Sequence, residues 1–130
     1  MQREKFLSRH HLPNGLVMEL WDLSRHTAGD RWQVTVEVRV SIPISRQNLP
    51  AAYQDRFDDI VAALGPQITF TKQEVRNFIG EKEVPALVRK IEAELFASIS
   101  SYLGHPEFAP RFILKTFKDV QERQRWYPPE

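Results

Sequence analysis

Apolar and polar residues alternate along one segment of the chain with great regularity. Every second residue from 32 to 44 is apolar, and these residues are Trp32, Val34, Val36, Val38, Val40, Ile42 and Ile44. A period of two over this length predicts a long β-strand that turns one face to a core and the other to solvent. Glu37 and Arg39 lie between the apolar residues, so we expect both on the solvent side of the strand that organises the fold.

A β-hairpin is predicted before this strand. The sequence Leu-Pro-Asn-Gly-Leu at residues 12–16 suits a three-residue hairpin loop with its glycine in the left-handed conformation. Strands over about residues 6–12 and 16–24 then pair, and this loop places Arg9 opposite Glu19.

The next connection, residues 25–30, leads into the long strand. A turn that places Arg25 opposite Arg31 sets the register of the second hairpin. The resulting neighbours on the outer face of the sheet are Glu19 with Glu37 and Trp21 with Thr35.

Apolar residues at helical spacing predict three helices. The first begins at a capping Asn48, ends at Gly65 and buries Tyr53, Phe57, Ile60, Val61 and Leu64. The second ends at Gly104 and buries Val84, Leu87, Val88, Ile91, Leu95, Ile99 and Tyr102, with Phe96 also assigned to the core. The third runs to about Arg125 and buries Phe108, Phe112, Ile113, Phe117 and Val120.

Residues 67–79 fit two structures. Ile68 and Phe70 alternate as in a strand, whereas Thr71 and Glu74 have the spacing of a helix capping box. We favour a strand, because the long strand needs a partner along its second edge. A short strand followed by one or two helical turns over residues 71–79 is the alternative.

These elements predict an α+β fold and a single domain over residues 1–130. We expect a three- to four-stranded, mainly antiparallel sheet with one apolar face covered by three helices. Residues 126–130, which contain two prolines, are predicted to form an extended tail.

Composition narrows the classes of function. The chain has 130 residues, no cysteine, and 18 Lys and Arg against 17 Asp and Glu. A cysteine-free chain has no disulfide or thiolate metal site and fits the cytoplasm, and no apolar run is long enough for a membrane span. The balanced charge argues against nucleic acid as a partner, with the basic and aromatic residues Arg123, Arg125 and Trp126 as the one cluster suited to it.

Metal and cofactor signatures are missing from the sequence. It contains no glycine-rich phosphate loop and no zinc-binding spacing of histidines, and His10 and His11 point to opposite faces if they lie on a strand. Asp55, Asp58 and Asp59 share one helix face, which a solvated surface explains. We therefore predict no metal and no cofactor.

The predicted interaction surface combines the outer face of the sheet with the C-terminal tail. It consists of Arg9, Glu19, Trp21, Glu37, Arg39, Trp126 and Tyr127. Neighbouring Glu19 and Glu37 would form an acid and base pair in a desolvated cleft, but we favour an exposed ladder of cross-strand ion pairs. Trp126 and Tyr127 suit either a recognition tail or a clasp on the chain's own surface.

The sequence contains no catalytic constellation, and the favoured hypothesis is a small cytoplasmic module without catalytic activity. We expect it to bind a protein partner or to homodimerise, through the outer face or through an exposed strand edge. The alternative is a small-molecule-binding protein or small enzyme with a pocket between the sheet and the last helices, using Glu19, Glu37 and Arg39. A weak nucleic-acid binder acting through the C-terminal tail is the third hypothesis.

Overall fold

A computed structural model describes residues 4–126, which form five strands and three α-helices. The strands are β1 (Lys5–His11), β2 (Val17–Asp22), β3 (Arg25–Ala28), β4 (Arg31–Pro43) and β5 (Gln67–Gly80). The helices are α1 (Phe57–Leu64), α2 (Val84–Leu103) and α3 (Phe108–Trp126), with 3₁₀ turns at Arg46–Asn48, Ala51–Arg56 and Glu81–Glu83. The α+β fold is confirmed, with five strands instead of three or four.

Strand β4 lies at the centre of the sheet. Strands β2 and β3 pair with successive parts of β4, and β5 pairs with β4 along nearly its whole length. Strand β1 pairs with the far side of β2, and all of these pairs are antiparallel. Within the described part of the chain, β5 therefore forms one open edge of the sheet, and β1 with β3 forms the other.

The helices cover the central part of the apolar face of the sheet. The inward residues of β4 have no exposed surface, and they are Val34, Val36, Val38, Val40 and Ile42. Helix α2 lies across β4 and β2, and it contributes Val88, Ile91, Leu95, Ile99 and Leu103 to the same core. Helix α3 packs against α1 and α2, and its Phe108 and Phe112 rings contact Phe70 of β5.

Two aromatic residues of α2 assigned to the core lie at the surface instead. Phe96 is 38% exposed and Tyr102 is 60% exposed. The sheet covers only the stripe of α2 that contains Ile91 and Leu95, and both aromatic residues flank that stripe. The Phe96 ring lies 4.3 Å from the ring of His10 at the β1 edge of the sheet.

The first helix begins later than predicted. Asn48 lies in a 3₁₀ turn, and its side chain donates a hydrogen bond to the carbonyl of Pro43 at 2.9 Å, so it caps no α-helix. The Gln54 side chain donates to the carbonyls of Arg46 and Leu49 and holds this segment in a tight loop. Regular α-helix starts at Phe57.

The first hairpin forms in the predicted register. Arg9 lies opposite Glu19, and Gly15 has a φ of 88°, in the left-handed region that the loop requires. The Asn14 side chain donates to the carbonyls of Leu103 at 2.8 Å and His105 at 3.1 Å. The loop therefore satisfies carbonyls at the C-terminal end of α2 in addition to reversing the chain.

The second hairpin has a different register from the predicted one. Strand β3 continues to Ala28, and Gly29, with a φ of 58°, starts a two-residue turn into β4. Arg25 therefore pairs with Gln33 and not with Arg31. Relative to the predicted register, the pairing of β2 with β4 is shifted by two residues. A shift of two residues keeps every side chain on its face, and the outer-face pairs become Glu19 with Arg39 and Trp21 with Glu37.

Residues 67–79 form part of a 14-residue strand, as we favoured from the sequence. Thr71 and Glu74 form no capping box, because they lie on opposite faces of β5. The regular pairing with β4 ends near Phe78, which has a φ of 60° and is 82% exposed. A bulky residue in the left-handed region is rare, and here it accompanies a β-bulge.

We expect Leu20→Ala to lower the free energy of unfolding by about 2–5 kcal/mol, because it leaves a cavity in a filled core. Leu20 has no exposed surface and lies opposite Val38. The control is Lys115→Ala on the exposed side of α3, where we expect a change below about 0.5 kcal/mol. Urea unfolding measures both, and equal losses would contradict a core on the helix side of the sheet.

Candidate functional site

The outer face of the sheet, on the side away from the helices, contains one connected network of side chains. Five residues predicted from the sequence belong to it, namely Arg9, Glu19, Trp21, Glu37 and Arg39. Glu4, Phe6 and Gln73 join them. We call these eight residues the outer-face network.

Arg9, Glu19 and Trp21 form one half of the network. The Arg9 guanidinium donates to one oxygen of Glu19 at 2.8 Å, and the Trp21 indole N–H donates to the other oxygen at 3.2 Å. The Phe6 ring contacts Trp21 edge to face at 5.5 Å between centroids. Both carboxylate oxygens of Glu19 are therefore occupied by donors from the same sheet.

Arg39 joins the two halves of the network. Its guanidinium lies 4.8 Å from the centroid of the Trp21 ring, a cation–π distance. It also donates to Glu37 at 2.5 Å and to both oxygens of Glu4, at 2.7 and 3.2 Å. One arginine thus connects β4, β2 and the residue before β1.

Glu37 is buried, although we expected it to be in contact with solvent. It is 8% exposed, and its second oxygen accepts a hydrogen bond from Gln73 of β5 at 3.1 Å. Trp21 and Gln73 lie opposite it on the two neighbouring strands and cover it from both sides. Thr35 on the same face is also buried, at 5%. The sidedness of β4 is as predicted, but the centre of its polar face is covered by its neighbours.

Charge pairing shifts the pKa values of three members of the network, Glu19, Glu4 and Arg39, toward their ionised forms. The hydrogen bond from Arg9 lowers the pKa of Glu19, and the N–H of Trp21 adds to this effect. The hydrogen bond from Arg39 likewise lowers the pKa of Glu4. Glu4 and then Glu37 raise the pKa of Arg39 in return. These three groups are therefore ionised and paired at neutral pH.

The suggested acid and base pair of Glu19 and Glu37 does not form. The second hairpin register places Arg39, and not Glu37, opposite Glu19. A carboxylate that faces a guanidinium keeps its negative charge, whereas two facing carboxylates would share a proton. The arrangement suits a cross-strand ion-pair ladder, which was the favoured interpretation of these residues.

The C-terminal part of the predicted surface lies elsewhere. Trp126 is the last residue of α3, is 68% exposed, and donates its indole N–H to Glu122 of the same helix at 2.6 Å. The predicted extended tail therefore does not include residue 126, because the Gln, Glu and Arg residues before it favour continued helix. Tyr127 and the rest of the tail lie outside the described residues.

Histidine and carboxylate side chains are dispersed over the surface. Between residues 4 and 126 no group of three or more His, Asp or Glu side chains is placed to hold a metal ion. His10 contacts Ser8 at 3.1 Å, and His26 bonds the carbonyl of Gly29 at 2.5 Å. These histidines take part in local contacts in two separate parts of the sheet.

The main cleft does not open onto Glu37 or Arg39. It has a volume of about 590 Å³ and lies between the start of β1, the end of β2 and the start of α2. Trp32 contributes to its wall, and Lys5 and Arg89 line it as cations. No local sequence pattern points to Lys5 and Arg89, because they come together with Trp32 only through tertiary packing.

The open edge of β5 is the second feature that sequence analysis did not locate. In an antiparallel sheet, successive residues direct their backbone groups alternately to the two sides of the strand. Leu23 N donates to Thr35 O, and Ile44 N donates to Pro66 O, both at 2.9 Å. The backbone N–H and C=O groups of odd-numbered β4 residues thus point toward β2, and those of even-numbered residues point toward β5.

The same alternation assigns the backbone groups of β5. Val36 and Val38 of β4 lie opposite Glu74 and Lys72 of β5. The backbone groups of Glu74 and Lys72, like those of the other even-numbered β5 residues in this stretch, therefore form hydrogen bonds with β4. The N–H and C=O groups that point to the open edge belong to Thr69, Thr71, Gln73 and Val75. Arg76 donates to the Val75 carbonyl at 3.1 Å. Among the described residues, the other outward groups at positions 69, 71 and 73 have no backbone partner.

Comparison with protein-family models, with curated proteins and with solved structures finds no match to this chain. Across residues 4–126, no helix combines the length and the apolar character needed to cross a membrane. The candidate sites therefore rest on their own geometry.

We expect acidification to weaken the protein partly through Glu19. Its pKa is lowered in the folded state, so its stabilising effect is present above the ordinary carboxyl pKa of 4.5 and is lost as pH falls through the lowered value. Glu19→Gln should lose less unfolding free energy than the wild type between pH 7 and pH 3, by about 0.2–1 kcal/mol.

Urea unfolding at the two pH values measures this difference. The control is Glu94→Gln, which removes an exposed carboxylate of α2 that has no ion pair among the described residues. It should lose as much as the wild type. Equal losses in Glu19→Gln and the wild type would show that the Arg9 pair does not stabilise the fold.

Proposed function

We propose that this protein is an interaction module that forms a homodimer by pairing the open edge of β5 with the same edge of a second copy. The observation that carries this proposal is the row of outward backbone groups on Thr69, Thr71 and Gln73. Such an edge is a template for another strand, and proteins that do not use it cover or shorten it.

The other candidate surface is less suited to a partner. In the outer-face network, the charged groups of Arg9, Glu19, Glu37 and Arg39 already bond one another. A partner that bound there would replace existing ion pairs instead of satisfying free groups. We therefore regard the outer-face network as the polar surface of the sheet and not as the binding site.

The β1 edge is also a poorer template than β5. Strand β1 has 7 residues against 14 in β5, and a bulge interrupts it between Phe6 and Ser8. On β5, pairing with β4 is regular from Gln67 to Arg76. A long, regular edge is the better platform for a second strand.

We infer a two-fold register of β5 centred on Gln73, because it pairs opposite charges. Pairing Gln73 with Gln73 of the second copy places Lys72 opposite Glu74 on both sides of the axis. On the other face, Thr71 lies opposite Val75. About six backbone hydrogen bonds would form between these central residues.

The registers centred on Lys72 and on Glu74 are less favourable. An axis at Lys72 would place Lys72 opposite Lys72, and an axis at Glu74 would place two carboxylates opposite each other. Like charges directly opposite destabilise a strand pair, whereas opposite charges stabilise it by about 0.2–1 kcal/mol per pair. Glu74 carries a full negative charge for this purpose, since the hydrogen bond from Arg76 lowers its pKa.

We propose the cytoplasm as the compartment, which a cysteine-free composition supports. The fold then acts as a scaffold whose single long edge joins two copies. No catalytic residue enters this function.

A charge-exchange experiment tests the dimer and its register together. Lys72→Glu and Glu74→Lys should each be monomeric in sedimentation velocity, because like charges then face each other twice. An equimolar mixture of the two variants should form a heterodimer, and the double variant Lys72→Glu/Glu74→Lys should dimerise again. The matched control is Lys118→Glu on the exposed side of α3, which changes charge by the same amount and should stay dimeric.

A backbone test accompanies the charge exchange. Thr71→Pro removes an outward N–H and no hydrogen bond to β4, so the monomer should keep its circular dichroism spectrum while the dimer is lost. A wild type that sediments as a monomer at about millimolar concentration would overturn the proposal. Dimers in every charge variant would overturn the β5 register.

A further inference from the structure

The main cleft has the size and lining of a small-molecule site, and no residue of β5 lines it. Its volume of about 590 Å³ falls within the range of ligand pockets. The apolar part of the lining is formed by Leu7, Trp32, Val84, Pro85 and Val88. An apolar molecule that enters it would contact β1, β4 and α2 at once.

Trp32 supplies a buried donor next to this apolar lining. Its indole nitrogen has almost no contact with solvent and no hydrogen-bond partner among the described residues. Unpaired buried donors are rare in folded proteins, but because this nitrogen has almost no open surface, a ligand in the cleft would contact the Trp32 ring and not its N–H. His26 contacts the Trp32 ring at 5.6 Å between centroids, which holds the indole in place.

The charged residues of the cleft differ in whether they are already paired. Glu4 is held by Arg39, and Asp22 accepts a hydrogen bond from the backbone N–H of Ser24 at 2.9 Å. The side chains of Lys5 and Arg89 have no ion pair or hydrogen bond within residues 4–126. Glu4 is thus paired with a cation and Asp22 is hydrogen-bonded to the backbone, whereas both cations are available.

The two available charged groups, Lys5 and Arg89, are both donors. An ammonium and a guanidinium carry no acceptor, so a ligand that binds both presents acceptor oxygens and negative charge. The flat Trp32 ring and the aliphatic side chains beside it favour a planar apolar body. We infer that the cleft binds an aromatic carboxylate, with its ring on the apolar lining and its carboxylate held by Lys5 and Arg89.

The inference is independent of the β5 dimer, and its test uses a different readout. We would titrate 2-naphthoate into ¹⁵N-labelled protein and follow the Trp32 indole resonance, which Trp32→Phe identifies by its disappearance. We expect a saturable shift of this resonance as the naphthalene ring packs against the indole. 2-Naphthylmethylammonium has the same ring system with a positive charge, and it should bind at least about tenfold more weakly, a difference of about 1.4 kcal/mol.

Charge variants show whether the cations bind the ligand. The double variant Lys5→Gln/Arg89→Gln should bind 2-naphthoate at least about tenfold more weakly than the wild type. Its thermal unfolding midpoint should be unchanged, because both side chains are exposed. The matched control Lys90→Gln/Lys118→Gln removes two charges outside the cleft and should bind as the wild type does. No saturable shift at millimolar 2-naphthoate would overturn the inference, and so would equal binding by the two double variants.

Discussion

The structure depends on the two-sided character of β4. One side of this strand carries five aliphatic residues with no exposed surface, and the other carries Thr35, Glu37 and Arg39. Burying the aliphatic side is worth on the order of 10 kcal/mol before conformational entropy is subtracted. Because successive side chains point to opposite faces, this burial places Glu37 on the far side at the centre of the sheet. A charge at that position must be paired, which explains the connected contacts among Glu37, Arg39 and Gln73.

This pairing leaves few unsatisfied polar side chains on the outer face. The candidate functional sites therefore lie at the margins of the sheet. One margin is the open edge of β5, whose outward backbone groups have no strand beside them in the described chain. The other is the cleft at the start of β1, where the side chains of Lys5 and Arg89 have no partner among the described residues. In both places the fold leaves exposed polar groups unpaired, and such groups are available to a second molecule.

Local patterns predicted much of the fold. The period-two alternation placed β4 correctly, and the Pro-Asn-Gly loop set the register of the first hairpin with Arg9 opposite Glu19. The second hairpin was misjudged by two residues, because a two-residue turn starting at Gly29 replaced the longer connection assumed from the sequence. A register shift by two residues leaves each side chain on the same face of the sheet, but it changes the residue that lies opposite. The five outer-face residues were therefore found together, while the acid and base pair among them was wrong.

The sequence by itself determined which residues face the core, because side-chain periodicity is a property of a single strand or helix. Tertiary structure decided what lies beside them. The burial of Glu37 depends on side chains from two other strands, and the exposure of Phe96 depends on how much of α2 the sheet covers. The open edge of β5 and the surroundings of Trp32 are likewise set by distant segments. No local pattern encodes these contacts, because they arise only when elements far apart in the chain pack together.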